Sequence, residues 1–401
     1  MNDLASQIKR AARGLGFEVT GIASIEPLAR DDEAFRDWRE AGFAAGMGYM
    51  TRRPELHAHP NRLVPSAMSL ITLAINYYAS APAFAHENLY GRVARYAWGL
   101  DYHDVVKPRL IALAAEIEKL AGRKLHARCF VDAVPLLERA VAARAGLGFF
   151  GKNTNLLRPK SGSWFFLSEI LVDLDLPADL SESKVSCGSC SRCIKACPTD
   201  AFAAPYRLDS RRCISYLTIE NKGAIPRDLR EGVGEWIFGC DVCQEMRTDA
   251  TRYGPLPTIV RGQSELVCPF NRFAKDTTWR EFHPSAGAGP KLNLAEVLSI
   301  DTDEMFRRRF KGTPLTRPKR RGLLRNAAIV AANIGCTAAV PALVERIEHD
   351  PEPLIRSHSL WAIAHLDQQK AARLIQKSLT DPAPQVREEA VTLVSRADIK
   401  P

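Results

Sequence analysis

Cys187-Gly-Ser-Cys190-Ser-Arg-Cys193-Ile-Lys-Ala-Cys197-Pro198 is the stretch from which the rest of the chain can be read. Three cysteines at CxxCxxC spacing bring their thiolates onto one [4Fe–4S] cluster, and the fourth, followed by proline, reaches a second cluster. Iron in such clusters needs soft, anionic sulfur donors. Zinc also takes CxxC pairs, but four cysteines this close with a proline behind them fit it poorly.

A second group completes the pattern. Cys213 lies sixteen residues beyond Cys197, and Cys240-Asp-Val-Cys243 follows. The ferredoxin-like pattern then requires xxxCys-Pro, yet Arg247 stands at the cysteine position, and Cys268-Pro269 comes late. Excising Met246 to Leu266 joins Glu245 to Val267 and restores CxxCxxxCP, so those 21 residues read as an insertion between two ligands. The crossed arrangement assigns Cys187, Cys190, Cys193 and Cys268 to cluster one, and Cys197, Cys213, Cys240 and Cys243 to cluster two. Cys129 and Cys336 lie in apolar surroundings and read as packing residues.

Outward from this module the chain changes character on both sides. Before it, residues 1–178 read as a mixed α/β domain. Leu4 to Leu15 is an amphipathic helix stopped at Gly16, and Lys107 to Leu120 has helical spacing. Ser69 to Tyr77, Ala127 to Val131 and Ser163 to Val172 read as strands. Asp132-Ala-Val-Pro135 predicts the opening of a helix over Leu136 to Ala145. Residues 179–285 form the ferredoxin-like two-cluster domain.

Residues 286–401 hold a basic segment and an internal repeat. Arg325, Arg356 and Arg387 recur 31 residues apart, each inside a similar apolar run, with Asp350-Pro351 and Asp381-Pro382 marking turns. That register predicts HEAT-like helical repeats, with ordinary tandem helices as the alternative. The fold class is therefore α/β followed by α: an α/β cofactor domain, a cluster module and helical repeats.

The chain has 401 residues, of which 25% are charged and 46% hydrophobic, enough for two or three folded domains at about 150 residues each. Its net charge of +9 is local. Phe306 to Arg325 holds nine basic residues and no acidic one, so the remainder is neutral. One basic segment next to helical repeats predicts contact with a polyanion. Met1 to Ile8 shows no export signal, and ten cysteines in that setting predict redox chemistry in a cytoplasmic chain, not disulfides. The longest apolar stretch, Ala327 to Val344, is broken by Asn333, Gly335 and Pro341, so no membrane span is expected.

Taken together, these motifs resemble the epoxyqueuosine reductase family over almost the whole length. The resemblance rests on Arg95-Tyr-Ala-Trp-Gly-Leu-Asp-Tyr-His103, Val131-Asp-Ala-Val-Pro135, Ala145-Gly-Leu-Gly-Phe-Phe-Gly-Lys-Asn153, the cysteine pattern, Arg212-Cys-Ile-Ser-Tyr-Leu-Thr218 and Lys319-Arg-Arg-Gly-Leu-Leu-Arg-Asn326. It implies cobalamin with its lower base displaced, two [4Fe–4S] clusters, and reduction of an epoxide in the wobble nucleoside of tRNA to an alkene and water. It further implies an external one-electron donor of the flavodoxin or ferredoxin type, no membrane partner, and a monomer.

The resemblance also implies site residues. Asp132 matches the family's proton donor, although the bare residues read equally well as a helix N-cap. His57, Leu156, Leu167, Ser215 and Asp241, with Asp132, match cobalamin contacts; read bare, His57 is a loop residue and the leucines are core. Arg317, Lys319, Arg320, Arg321 and Arg325 are the candidates for the tRNA backbone, against the alternative of a solvated charged face. Lys152 and Asn153 sit in a Gly-rich turn that suits either an anion or a plain helix-to-strand connection. Tyr102, Tyr216 and Trp98 are candidates to stack a flipped base. The competing functions are a cobalamin-dependent reductive dehalogenase and a non-catalytic electron-transfer or tRNA-binding protein. The basic repeat segment disfavours the first, and substitution of Asp132 separates the second.

Overall fold

The structure, a computed structural model, describes residues 2–80, 88–179, 185–247 and 265–396. The chain forms two compact units that interleave along the sequence. One comprises residues 1–80, 100–211 and 241–283; the other comprises 81–99, 212–240 and 284–401. These are not the three consecutive segments of the sequence reading. The cysteine-rich stretch 179–285 is divided between both units.

The first unit is built on a four-stranded antiparallel sheet in the order Val19–Ser24, Ser69–Asn76, Phe165–Val172, Ala127–Phe130. The two central strands are buried almost throughout, which is why both read as mainly apolar runs, interrupted by Thr72 in one and by Ser168 and Glu169 in the other. Side chains alternate between faces. Leu70 and Ala74 face an apolar cluster that also takes Leu136, Ala140, Val141, Leu156 and Leu171. The helix Glu138–Arg144 packs on the sheet. Two helices, Asn2–Gly14 and Tyr102–Ala121, pack against each other and against sheet strands. The second of these is capped by the Asp101 carboxylate, which accepts the His103 N–H, and stops at Gly122 with φ +67°.

The second unit joins a small sheet to the helical repeats. Tyr90–Val93 is its middle strand, parallel to Trp236–Phe238 and antiparallel to Lys291–Asn293. Gly91 is needed there, because a Cβ would lie 2.8 Å from the Ile237 Cβ. The repeats run as Lys319–Ile334, Val340–His349, Pro353–Leu366, Gln368–Ser378 and Pro384–Arg396.

The second and third of the recurrent arginines share one role, which the first, Arg325, does not. Arg356 donates to the carbonyls of Asp350 and Pro351, and Arg387 to those of Asp381 and Pro382. Each ties its own helix to the Asp-Pro turn before it. Among the described residues no helix is long and apolar enough to cross a membrane.

Candidate iron–sulfur and catalytic site

The cysteine loops of the first unit are short on regular structure. Arg192–Lys195 supplies one helical turn, and Cys193, Ala196 and Val267 form a small apolar cluster. Cys187, Cys190, Cys193 and Cys268 stand close enough for their charges to interact. Burial pushes the Cys193 thiol up to about 11, and the other three thiols add to the shift. Burial likewise pushes Cys268 up to about 11, opposed by the backbone amides of Phe270 and Asn271. Such thiols stay protonated at neutral pH until a metal centre takes their protons' place. Among the described residues no three His, Cys, Asp or Glu side chains form a single-ion site.

The insertion explains how Cys268 comes back to this group. Met246–Arg247 pairs antiparallel with Glu265–Leu266, and the Val267 N–H donates to the Glu245 carbonyl at 2.9 Å. The two residues joined by excising the insertion are thus hydrogen-bonded neighbours. Residues 248–264 lie outside the described residues. Asn271 fastens the return: its Oδ1 accepts from Ser163 N at 2.7 Å, and its Nδ2 donates to the Gln244 carbonyl at 2.9 Å. Cys197 accepts from the Ala201 N–H at 3.4 Å and belongs to the first unit with Cys243. Cys213 and Cys240 belong to the second.

The Gly-rich turn serves the cysteine loops. The Lys152 N–H donates to Cys187 Sγ at 3.4 Å, and its Nζ donates to the Gly188 carbonyl at 2.6 Å. Asn153 Nδ2 donates to the Cys243 carbonyl at 3.2 Å. Neither reading of this turn in the sequence contained that role. Nothing local to residues 151–153 signals a partner 35 or 90 residues away.

Asp132 does not cap a helix. The helix begins at Glu138, after Leu137, which makes no side-chain cap hydrogen bond. Pro135 falls in the loop before the helix, not in its first turn. Asp132 instead sits exposed on the intervening loop with φ +47°. Its Oδ2 accepts the Tyr102 hydroxyl at 2.6 Å, and its N–H donates to Glu138 Oε1 at 3.0 Å. Tyr102 stacks on Phe166 with centroids 4.4 Å apart and on His103 at 4.1 Å. Tyr102 therefore orients a carboxylate. Trp98 is buried with its indole N–H on the Val93 carbonyl, which removes it as a base-stacking candidate.

The expected cofactor contacts divide in the same way. Leu156 and Leu167 border the apolar cluster that also takes Val134 and Leu136 of the Asp132 loop. His57 is buried beside Phe35, its Nδ1 has no hydrogen-bond partner, and burial lowers its pKa. Its carbonyl accepts the Leu137 N–H at 2.8 Å, which ties it to the same loop. Asp241 is buried, and its backbone carbonyl accepts from the Gln244 and Glu245 N–H groups. Ser215 falls on the second unit, in the helix Ile214–Ile219.

Burial overturns two of the expected tRNA contacts. Arg325 has no exposed surface; it donates to the carbonyls of Leu217, Asn221 and Gly223 and to Asn326 Oδ1. Arg320 is buried against Asp350 and the Ile300 carbonyl. A guanidinium used up inside the fold cannot meet a phosphate. Arg317, Lys319 and Arg321 are exposed. Arg317 pairs with Glu220, and Arg321 donates to the Lys222 carbonyl. Lys222 itself is exposed there, a cation that the distant basic run did not announce.

Comparison with known proteins identifies the family. Residues 57–133 match the family model described as "Epoxyqueuosine reductase QueG, DUF1730". Residues 186–246 match a 4Fe-4S double cluster binding domain, and 318–395 match HEAT repeats. An epoxyqueuosine reductase of Pseudomonas aeruginosa is 40% identical over 365 residues, covering 90% of this chain and 94% of that protein. A crystal structure of epoxyqueuosine reductase with an epoxyqueuosine-modified tRNA-Tyr stem loop superposes with a TM-score of 0.86 at 26% identity, covering 98% of each chain. A Bacillus subtilis epoxyqueuosine reductase, described with its catalytic aspartate loop swung out of the active site, superposes with a TM-score of 0.84 at 27% identity, covering 98% and 99%. The chain belongs to the epoxyqueuosine reductase family of oxidoreductases.

Proposed function

We propose that this protein reduces epoxyqueuosine in tRNA to queuosine, with Asp132 as the proton donor. The observation that carries the chemistry is Asp132 itself. It is an exposed carboxyl on a left-handed loop, held by Tyr102 and bordered by an apolar wall, in the unit that also holds Cys187, Cys190, Cys193 and Cys268.

The reaction takes two electrons and two protons, breaks both C–O bonds of the epoxide, and yields an alkene and water. Asp132 gives a proton to the departing oxygen. General-acid help of this kind is worth about 10²–10⁴-fold. Tyr102 fixes the carboxyl's orientation through Oδ2. The apolar wall keeps bulk water from the reacting carbon.

A corrinoid fits this unit on two grounds: the apolar border at Leu156 and Leu167, and the buried His57 Nδ1 with no partner. Within this unit His57, Asp132, Leu156, Leu167 and Asp241 are the residues we assign to it, and Ser215 is assigned to it on the family resemblance alone. Bound there, cobalamin would supply the low-potential cobalt that carries electrons to carbon. Cys187, Cys190, Cys193 and Cys268 would hold one cluster, and Cys197, Cys213, Cys240 and Cys243 the other. The second assignment rests on cysteine spacing. Lys319, Arg321 and Arg317 would meet the tRNA backbone, and Tyr216 remains a candidate for stacking. With tRNA as substrate, our reading is of a cytoplasmic enzyme that acts as a monomer and is fed by a flavodoxin- or ferredoxin-type donor.

The test is anaerobic turnover of epoxyqueuosine-containing tRNA by reconstituted protein, read by nucleoside mass spectrometry. Asp132→Asn should lose about 10²-fold or more in rate while keeping iron, cobalt and tRNA binding. Undiminished turnover would remove Asp132 as the donor.

A further inference from the structure

Glu169 lies in the middle of the central strand Phe165–Val172 with no exposed surface. It shares a face with Leu167 and Leu171, and its cross-strand partners are Thr72 and Phe130. Neither of its carboxyl oxygens meets an N–H or O–H donor. The Thr72 hydroxyl opposite is buried and also makes no hydrogen bond. The polar group within hydrogen-bonding reach of Glu169 is another carboxyl, that of Glu138. Two carboxyl groups can hydrogen-bond only if one of them carries a proton. Glu138 in turn accepts the Asp132 N–H.

We propose that Glu138 and Glu169 form a proton-sharing carboxyl pair that positions the Asp132 loop, the shared proton holding Glu138 in place as acceptor for the Asp132 N–H. This inference rests on the reading of Asp132 as proton donor. Both glutamates are positioning residues, acting through the Asp132 N–H that Glu138 accepts.

The physical logic is one of desolvation. Glu169 sits among apolar side chains, so burial favours its neutral form and holds its pKa well above the ordinary carboxyl range. Burial, then the charge of Asp132, pushes Glu138 up to about 8. The other charged group facing the pair is Arg139, from the same helix, whose guanidinium donates to the Thr154 carbonyl. His103 faces Asp132. With one proton the pair is a closed hydrogen bond. With none, the buried Glu169 charge, which has no donor, faces the charge of the half-buried Glu138, whose donor is the Asp132 N–H, and Glu138 must turn toward solvent. The Asp132 loop then loses its anchor, so turnover falls at alkaline pH.

Holoenzyme labelled with ¹³C at the glutamate side-chain carboxyl tests this by infrared spectroscopy. A protonated glutamic acid band is expected at neutral pH that disappears only on alkaline titration. Glu169→Gln should abolish the band; Asp132→Asn should keep it. Glutamine cannot ionise but can donate to Glu138. The variant should therefore hold its single-turnover rate at neutral pH, with the alkaline limb of the pH profile displaced upward by about one pH unit or more. The absence of a protonated glutamate band at neutral pH, or an unmoved alkaline limb in Glu169→Gln, would overturn the proposal. Glu138→Gln, measured the same way, covers a failure of the first variant to fold. If Asp132→Asn keeps its turnover, the donor reading falls, while the band still reports on the pair.

Discussion

Arg325 and Lys319 belong to the same basic run and have opposite fates. Arg325 is sealed inside its unit, where burial lowers its pKa to about 9 and three carbonyls accept hydrogen bonds from its guanidinium. Replacing it with alanine leaves those carbonyls without donors, so Arg325→Ala should destabilise the fold by about 3 kcal/mol or more, read as a lower urea midpoint. Lys319 and Arg321 are exposed. Reversing both charges (Lys319→Glu, Arg321→Glu) should leave the urea midpoint nearly unchanged and weaken tRNA binding. It should also flatten the salt dependence by about one to two ion equivalents. An unchanged salt slope would remove these two from the interface. The cysteine and arginine identities were open to reading in the sequence, but their burial was not. Whether an arginine faces water depends on which carbonyls the fold brings to it, and those of Leu217, Asn221 and Gly223 lie about a hundred residues away.

At the scale of elements, the insertion is the informative case. Its base is a two-residue antiparallel ladder, and Val267 is hydrogen-bonded to Glu245. Cys268 is therefore anchored from outside the segment between Arg247 and Glu265. Replacing residues 248–264 with Asn-Gly, which suits a two-residue hairpin, should leave reconstituted protein with about eight irons per chain. About four irons would show that the loop itself is needed for cluster one. The helix after Asp132 teaches the reverse lesson. Asp followed by Ala-Val-Pro predicts a cap, yet the helix starts six residues later, at Glu138. The N–H of Asp132 finds its partner in the Glu138 side chain, and its carboxylate finds Tyr102. Local capping propensity, worth about 1 kcal/mol, lost to these contacts. Glu169 is a lone acid in a mainly apolar strand sequence, a local sign of a buried carboxyl.

At the scale of whole units, the repeat unit carries its own pH dependence. His358 is buried in the helix Pro353–Leu366. Its Nε2 accepts the Ile225 N–H at 3.3 Å, and its Nδ1 faces the Leu354 carbonyl at 2.8 Å. Burial, then the charges of Arg230 and Arg325, holds its pKa well below the ordinary 6.5. The unfolded chain therefore binds more protons than the folded one below pH 6.5. Stability is full above that pH and falls beneath it, by up to about 1.4 kcal/mol per pH unit until the folded pKa is reached. Urea midpoints measured from pH 8 down to 5 should fall on the acid side, and His358→Gln should flatten that fall. Parallel curves for the two proteins would assign the acid lability elsewhere.

The sequence by itself determined the classes of structure and the chemistry of the donors. Strands, helices and the 31-residue repeat follow from periodicities that any compact fold must respect, because apolar side chains have to share a face. The cysteine spacing follows from the reach of a short loop around a cluster. Tertiary structure alone decided two things: that Asp132 is held by Tyr102 and Glu138, and that Arg320 and Arg325 are structural. Each of these depends on partners distant in sequence or on burial. No local pattern encodes which buried polar group will meet which donor.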